Sequence, residues 1–201
     1  MADAKKCQSI FRRDQEICYY TAIQDMIIRY PTGVVIGTNN EVQKANVGDG
    51  FVQGADLTGK WRMDPEWSLF GGFSILYGET TTYPTAAKVE EVEPISKMMP
   101  PTGLLGIGWR QPSGRYAVEA SVEMADHQHW LNSLDQADTQ RIPPDGTPGY
   151  AVVNVRGELR PRENLSVGLA VRNIGNVDYR IHGSGSNEPG TNFVISADWK
   201  F

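Results

Sequence analysis

Few side chains in this sequence could ligate a metal or catalyse, and their spacing decides what they can do. His127 and His129 flank Gln128 beside Asp126. In an extended segment residues i and i+2 share a face, so both imidazoles could reach one metal ion. The competing reading is a pair of solvated loop histidines, and the expectation is that no metal is held. His182 lies in the glycine-rich stretch 181–190, with Asn187 and Glu188 close by. Gly183, Gly185 and Gly190 are expected there at positive φ. These five residues (His127, His129, His182, Asn187 and Glu188) are the candidates for touching a ligand. Glu119 and Glu123 share a strand face at about 13 Å, beyond the roughly 5–9.5 Å that separates the carboxylates of a glycosidase. They are expected to face Arg156 or Arg172. The run GLLGIG at 103–108 lacks dinucleotide-loop spacing, and no helical pattern follows it. There is no serine elbow, zinc box or phosphate loop. The expectation is therefore a protein that is not an enzyme, with no catalytic residue and no cofactor.

The elements that must position these residues read as strands. The expected spans are 17–30, 42–63, 67–78, 102–110, 115–125, 150–160, 165–179 and 192–201, about eight in all. In 115–125, Tyr116, Val118, Ala120, Val122 and Met124 share one face, opposite Ala117, Glu119, Ser121 and Glu123. In 42–63, Asp56, Thr58, Lys60 and Arg62 oppose Ala55, Leu57, Trp61 and Met63. In the last strand Phe193, Ile195, Ala197, Trp199 and Phe201 form an apolar face, and the sequence ends on an aromatic residue. No helical period persists beyond about two turns. Connections alternate in length. Those at 64–66, 111–114 and 161–164 are short; those at 31–41, 79–101, 126–149 and 180–191 are long. Short turns on one edge and long loops on the other predict an up-and-down antiparallel sheet forming part of a transmembrane β-barrel. Trp61 and Trp67 beside a short turn, and Tyr77, Trp130 and Tyr150 near long loops, would suit two aromatic belts or core packing.

Composition agrees without deciding. In 201 residues there are 21 Gly and 12 Pro, favouring turns over long helices. No stretch reaches the roughly 20 apolar residues of a membrane helix, and alternating barrel strands do not need one. A net charge of −5 speaks against nucleic acid as a partner. Residues 1–17 have no apolar stretch of signal-peptide length. Cys7 and Cys18, if extended, would be about 36 Å apart, so no bridge between them is expected.

The segment NIGNVDY, 173–179, followed by RIHGSGSNEPGTNF, resembles the end of TonB-dependent outer-membrane receptors. Ile174, Gly175, Asn176 and Tyr179 stand where that family carries Leu, Phe, Asp and Tyr. Gly54, Asp56 and Leu57 resemble its Gly-x-(Asp/Glu)-Leu element before a periplasmic turn, and 19–33 resembles the strand preceding it. The likeness spans about 17–201. It implies location in the outer membrane against lipid, and uptake of a scarce solute such as an iron–siderophore complex or cobalamin. It also implies that Phe193, Ile195, Trp199 and Phe201 signal to the barrel-assembly machinery. TonB would act through an amino-terminal part that this sequence lacks. Residues 1–16 are accordingly read as an unstructured or truncated leader, and 17–201 as the carboxyl-terminal barrel segment without its plug. A self-contained eight-stranded barrel and a soluble sandwich are the alternatives.

Overall fold

A computed structural model describes residues 15–201. Residues 1–14 of the expected leader, and with them Cys7, lie outside the described residues. The chain folds as one antiparallel meander: β1 (Gln15–Ile36), β2 (Asn39–Arg62), β3 (Trp67–Thr82), β4 (Glu91–Pro94), β5 (Thr102–Arg110), β6 (Tyr116–Ala125), β7 (Tyr150–Arg162), β8 (Leu165–Arg172) and β9 (Asn192–Trp199). Each long strand pairs with its neighbour in sequence, and β4 pairs with the upper end of β3. Among the described residues no ladder joins β1 to β9, so the sheet is open.

The register confirms the alternation. On the inner, concave face Asp56 pairs with Ser74 and Lys60 with Phe70; on the outer face Leu57 pairs with Phe73 and Trp61 with Leu69. Glu119 pairs with Arg156 inside, and Val122 with Val153 outside. The outer face stays bare. Leu57, Phe73, Leu105, Leu169 and Ile195 are exposed, and few apolar side chains are fully buried. Sheets in water bury such a face; a barrel strand leaves it to lipid.

Two aromatic belts bound that face. Tyr20, Phe51, Tyr77 and Trp130 run in contact across β1, β2, β3 and the loop after β6, with ring centroids 5.8, 5.8 and 4.6 Å apart. At the short-turn edge Trp61, Trp67, Tyr116 and Trp199 are exposed, and Trp199 stacks on Phe201. Phe51 and Trp61 lie ten residues apart on β2, about 33 Å along the strand. Tilted by about 40°, that span covers the roughly 25 Å apolar band of an outer-membrane barrel. Tyr150 belongs to neither belt: it pairs with Ala125 on the inner face and packs against Tyr179 at 4.4 Å.

Several boundaries differ from the sequence reading. The expected long loop at 31–41 is a hairpin, with β1 and β2 continuing to a two-residue turn at Gly37 and Thr38. A register shift between Pro31 and Val35 absorbs the proline. β4 adds a ninth strand within 79–101, and 126–149 contains a single-turn helix, α1 (Ser133–Ala137). The expected strand 165–179 stops at Arg172, because Asn173 takes a left-handed φ of 50°. The expected turn at 161–164 narrows to Glu163 and Asn164.

Candidate functional site

Above the outer belt three loops fold into one cluster. Asn132 caps α1, its Oδ1 accepting from the Asp135 amide, and its side-chain amide donates to the Pro94 carbonyl. Asp135 is almost wholly buried and accepts from the Ser96 hydroxyl at 2.6 Å and the Lys97 amide at 3.0 Å. Glu93 of β4 accepts from both the amide and the hydroxyl of Ser133. Gln128 forms a two-way backbone bridge with Thr147 and donates its side-chain amide to the Met98 carbonyl. Bonds of this kind are worth about 1–3 kcal/mol when a charged acceptor is buried, so the cluster is a folded unit rather than free chain.

The third loop is held by the likeness motif. Asn173 donates its side-chain amide to the Val177 and Pro189 carbonyls and accepts from the Val177 amide. The Thr191 amide donates to the Asn176 side-chain carbonyl. Both asparagines are left-handed, at φ 50° and 49°, a conformation that Asn tolerates well. Gly175 points to open surface beside Val177, so a phenylalanine is not needed there to close the loop. Of the three glycines expected at positive φ, Gly183 and Gly185 have it, at 77° and 76°. Gly190 does not. Its role is close approach, since a Cβ there would strike the Asn176 side-chain oxygen.

The expected ligand contacts separate into three settings. His127 and His129 are exposed neighbours with ring centroids 5.6 Å apart. Asn187 is exposed and ties Arg180 to Asp178. Glu188 lines a concavity of about 540 Å³ on the inner face, together with Glu119, Glu123, Arg156, Arg172 and Tyr179. Glu119 pairs there with Arg156 at 2.7 Å, as expected, and Glu123 accepts from Asn154. Burial and the nearby Glu188 and Glu123 raise the Tyr179 phenol above its ordinary pKa, so it stays a neutral donor. His182 is buried. Its Nδ1 bonds the Thr147 hydroxyl at 2.8 Å, and its Nε2 has no partner among the described residues. Sequence reasoning missed this placement, and a lone histidine among glycines carries no signal of it. It also missed Asp135 and Gln128, which were not singled out.

Burial lowers the His182 pKa below its ordinary 6.5; Asp135 opposes the shift and Lys97 adds to it. Protonation would also leave a charged N–H in the interior without an acceptor. The opened cluster therefore binds a proton more readily than the closed one. Closure is fully favoured above about pH 6.5 and weakens as pH falls below it. Once the intrinsic slowing of exchange at lower pH is divided out, the protection of amides in residues 126–149 should fall several-fold on going from pH 7.5 to 5.5. In His182→Leu that extra change should vanish; an unchanged pH response in the variant would disprove the assignment.

An open antiparallel meander with an apolar outer face between aromatic belts, a charged inner face, short turns below and folded loops above defines a segment of an outer-membrane-type β-barrel. Residues 19–174 match the family described as TonB dependent receptor-like, beta-barrel. The chain belongs to that family. No curated protein matches it. Solved structures do. The copper transporter OprC is similar at a TM-score of 0.70 and 16% identity, over 96% of this chain and 30% of that one. The FrpB iron transporter from Neisseria meningitidis gives 0.69 and 14%, over 94% and 29%. The ferric-catecholate import receptor Fiu from E. coli K12 gives 0.61 and 18%, over 98% and 26%. The chain thus spans less than a third of each. Receptors of this family are outer-membrane transporters rather than enzymes.

Proposed function

We propose that this chain is the carboxyl-terminal barrel segment of a receptor that takes up a scarce, bulky solute, such as an iron–siderophore complex or cobalamin, across the outer membrane. The observation that carries the reading is the pairing of a folded outer-loop cluster with a charged inner face directly beneath it. The concavity lined by Glu119, Glu123, Arg156, Arg172 and Glu188 is also lined by Tyr179 and Ile181 of the loop that bears Asn187. A solute held by that loop would next meet those charges. The similar folds of a copper transporter, an iron transporter and a ferric-catecholate import receptor support the class of cargo. The open sheet favours a wide barrel over a self-contained one, since eight closed strands leave an interior filled by side chains.

In this reading energy from TonB enters through a plug borne by another part of the receptor. Phe193, Ile195, Trp199 and Phe201, all strongly exposed on the outer face, are what the assembly machinery engages. Topology tests the reading. In the full-length receptor in whole cells, Thr139→Cys, at an exposed outer-loop position, should react with an impermeant maleimide. Ser113→Cys, in the short turn between β5 and β6, should stay unlabelled until the membrane is opened. Labelling of Ser113→Cys alone would invert the barrel and remove the basis for capture by these loops.

A further inference from the structure

We propose that His127 and His129 form a binding site for a late first-row divalent cation, with zinc, nickel and copper as the fitting ions. The site goes beyond the transport reading, because it needs neither the plug nor the lumen. It is built from the backbone upward. Gln128 is pinned on both sides: its amide and carbonyl bridge Thr147 at 2.9 and 3.0 Å, and its buried side chain bonds the Met98 carbonyl. Its Oε1 also accepts from the Trp130 amide, and the Trp130 ring is stacked on Tyr77. The residue between the two histidines is therefore fixed, and in an extended bridge its neighbours project to the same side.

The tautomer of His127 is determined by its partner. Its Nε2 lies 2.9 Å from the Asp145 carbonyl oxygen. A carbonyl can only accept, so Nε2 carries the hydrogen and Nδ1 keeps the lone pair. An imidazole that donates one N–H to a backbone carbonyl while the other nitrogen stays free is the usual arrangement of a metal-ligating histidine. Among the described residues the ring of His129 has no hydrogen-bond partner, and the residue is exposed.

The separation fits. With metal–nitrogen bonds of about 2.0–2.1 Å, each ring centroid lies about 3.2 Å from the ion. Two imidazoles on one ion then have centroids about 5–6 Å apart. The observed value is 5.6 Å, with the ring planes inclined at 59°. Among the described residues no group of three or more His, Cys, Asp and Glu is arranged for a metal. The pair therefore supplies two nitrogen ligands and leaves the remaining positions to water. Such a site prefers borderline cations that accept imidazole, and copper above nickel and zinc; calcium and magnesium, which seek oxygen, are excluded.

The test uses the full-length receptor in detergent, titrated with nickel chloride, and with cupric chloride for electron paramagnetic resonance. The expected result is one saturable nickel site, and a cupric spectrum split by two equivalent nitrogens. His127→Ala and His129→Ala should each weaken nickel binding at least about tenfold. Unchanged binding in the double variant, displacement by calcium, or no saturable site in a monodisperse receptor would each overturn the proposal. Receptor that does not form a monodisperse barrel before metal is added refutes the receptor reading instead, so the two failures are told apart. Both histidines are exposed, and the circular dichroism of each variant verifies its fold.

Discussion

Leu57→Arg lowers the stability of the lipid-inserted barrel by about 2–4 kcal/mol, whereas Thr58→Arg, one residue along, costs about 1 kcal/mol or less. Leu57 is exposed on the outer face between the two belts, six residues from Phe51 and four from Trp61. An arginine there meets hydrocarbon at mid-depth. Thr58 pairs with Gln15 and Gly72 on the inner face, where water reaches. The difference corresponds to at least about a fivefold change in the folding equilibrium. Denaturant titration of the full-length receptor in lipid vesicles reads it directly. Equal penalties at the two positions would mean that the outer face is not the lipid face.

The second large effect is all-or-none. Produced alone in water, the 201-residue chain is expected to aggregate. Among the described residues β1 and β9 each carry a ladder on one side only, and an open sheet edge templates further strands. Beside one of those edges Phe193, Ile195, Trp199 and Phe201 are exposed at 71, 76, 60 and 113%, an apolar band far beyond what a soluble monomer tolerates. Size-exclusion chromatography without detergent checks this. A monodisperse monomer with cooperative melting would contradict both the edge argument and the membrane assignment.

Much of the sheet was legible because alternation is a local property. Tyr116 to Met124 and Phe193 to Phe201 announce their faces residue by residue, and the structure places those faces as expected. Legibility failed where tertiary contacts override local signals. Pro31, Gly33 and Gly37 read as a loop, yet the hairpin continues because each strand supplies the other's hydrogen bonds. Asn173 to Tyr179 read as a continuation of the strand from Leu165, yet one left-handed asparagine turns the chain out of the sheet. Glu91–Pro94 is too short and too acidic to read as a strand, and pairs because Thr80, Thr81 and Thr82 offer it an edge. At the candidate site, the partnership of Glu119 with Arg156 followed from shared facing. The pinning of Gln128 and the burial of His182 depend on residues 19 and 35 positions away along the chain, which no local pattern encodes.

One element shows how the likeness motif acts. Gly54 pairs with Tyr19 and with Leu76, and a side chain there would run into the Tyr19 ring and the Ile75 carbonyl. The glycine lets a tyrosine lie flat across the inner wall, and Asp56 and Leu57 then fall on the inner and outer faces by parity.

The strictly neighbour-to-neighbour order of the sheet has a consequence for gene architecture. A sandwich with crossed connections is destroyed by division, since every cut separates strands that belong side by side. A meander cut at a turn loses a single ladder and leaves every other hairpin in register on its own side of the break. A circularly permuted version of such a barrel therefore needs to restore one seam, and a split version two. Two polypeptides meeting along both β1 and β9 close the wall with main-chain hydrogen bonds that are indifferent to the side chains on either edge.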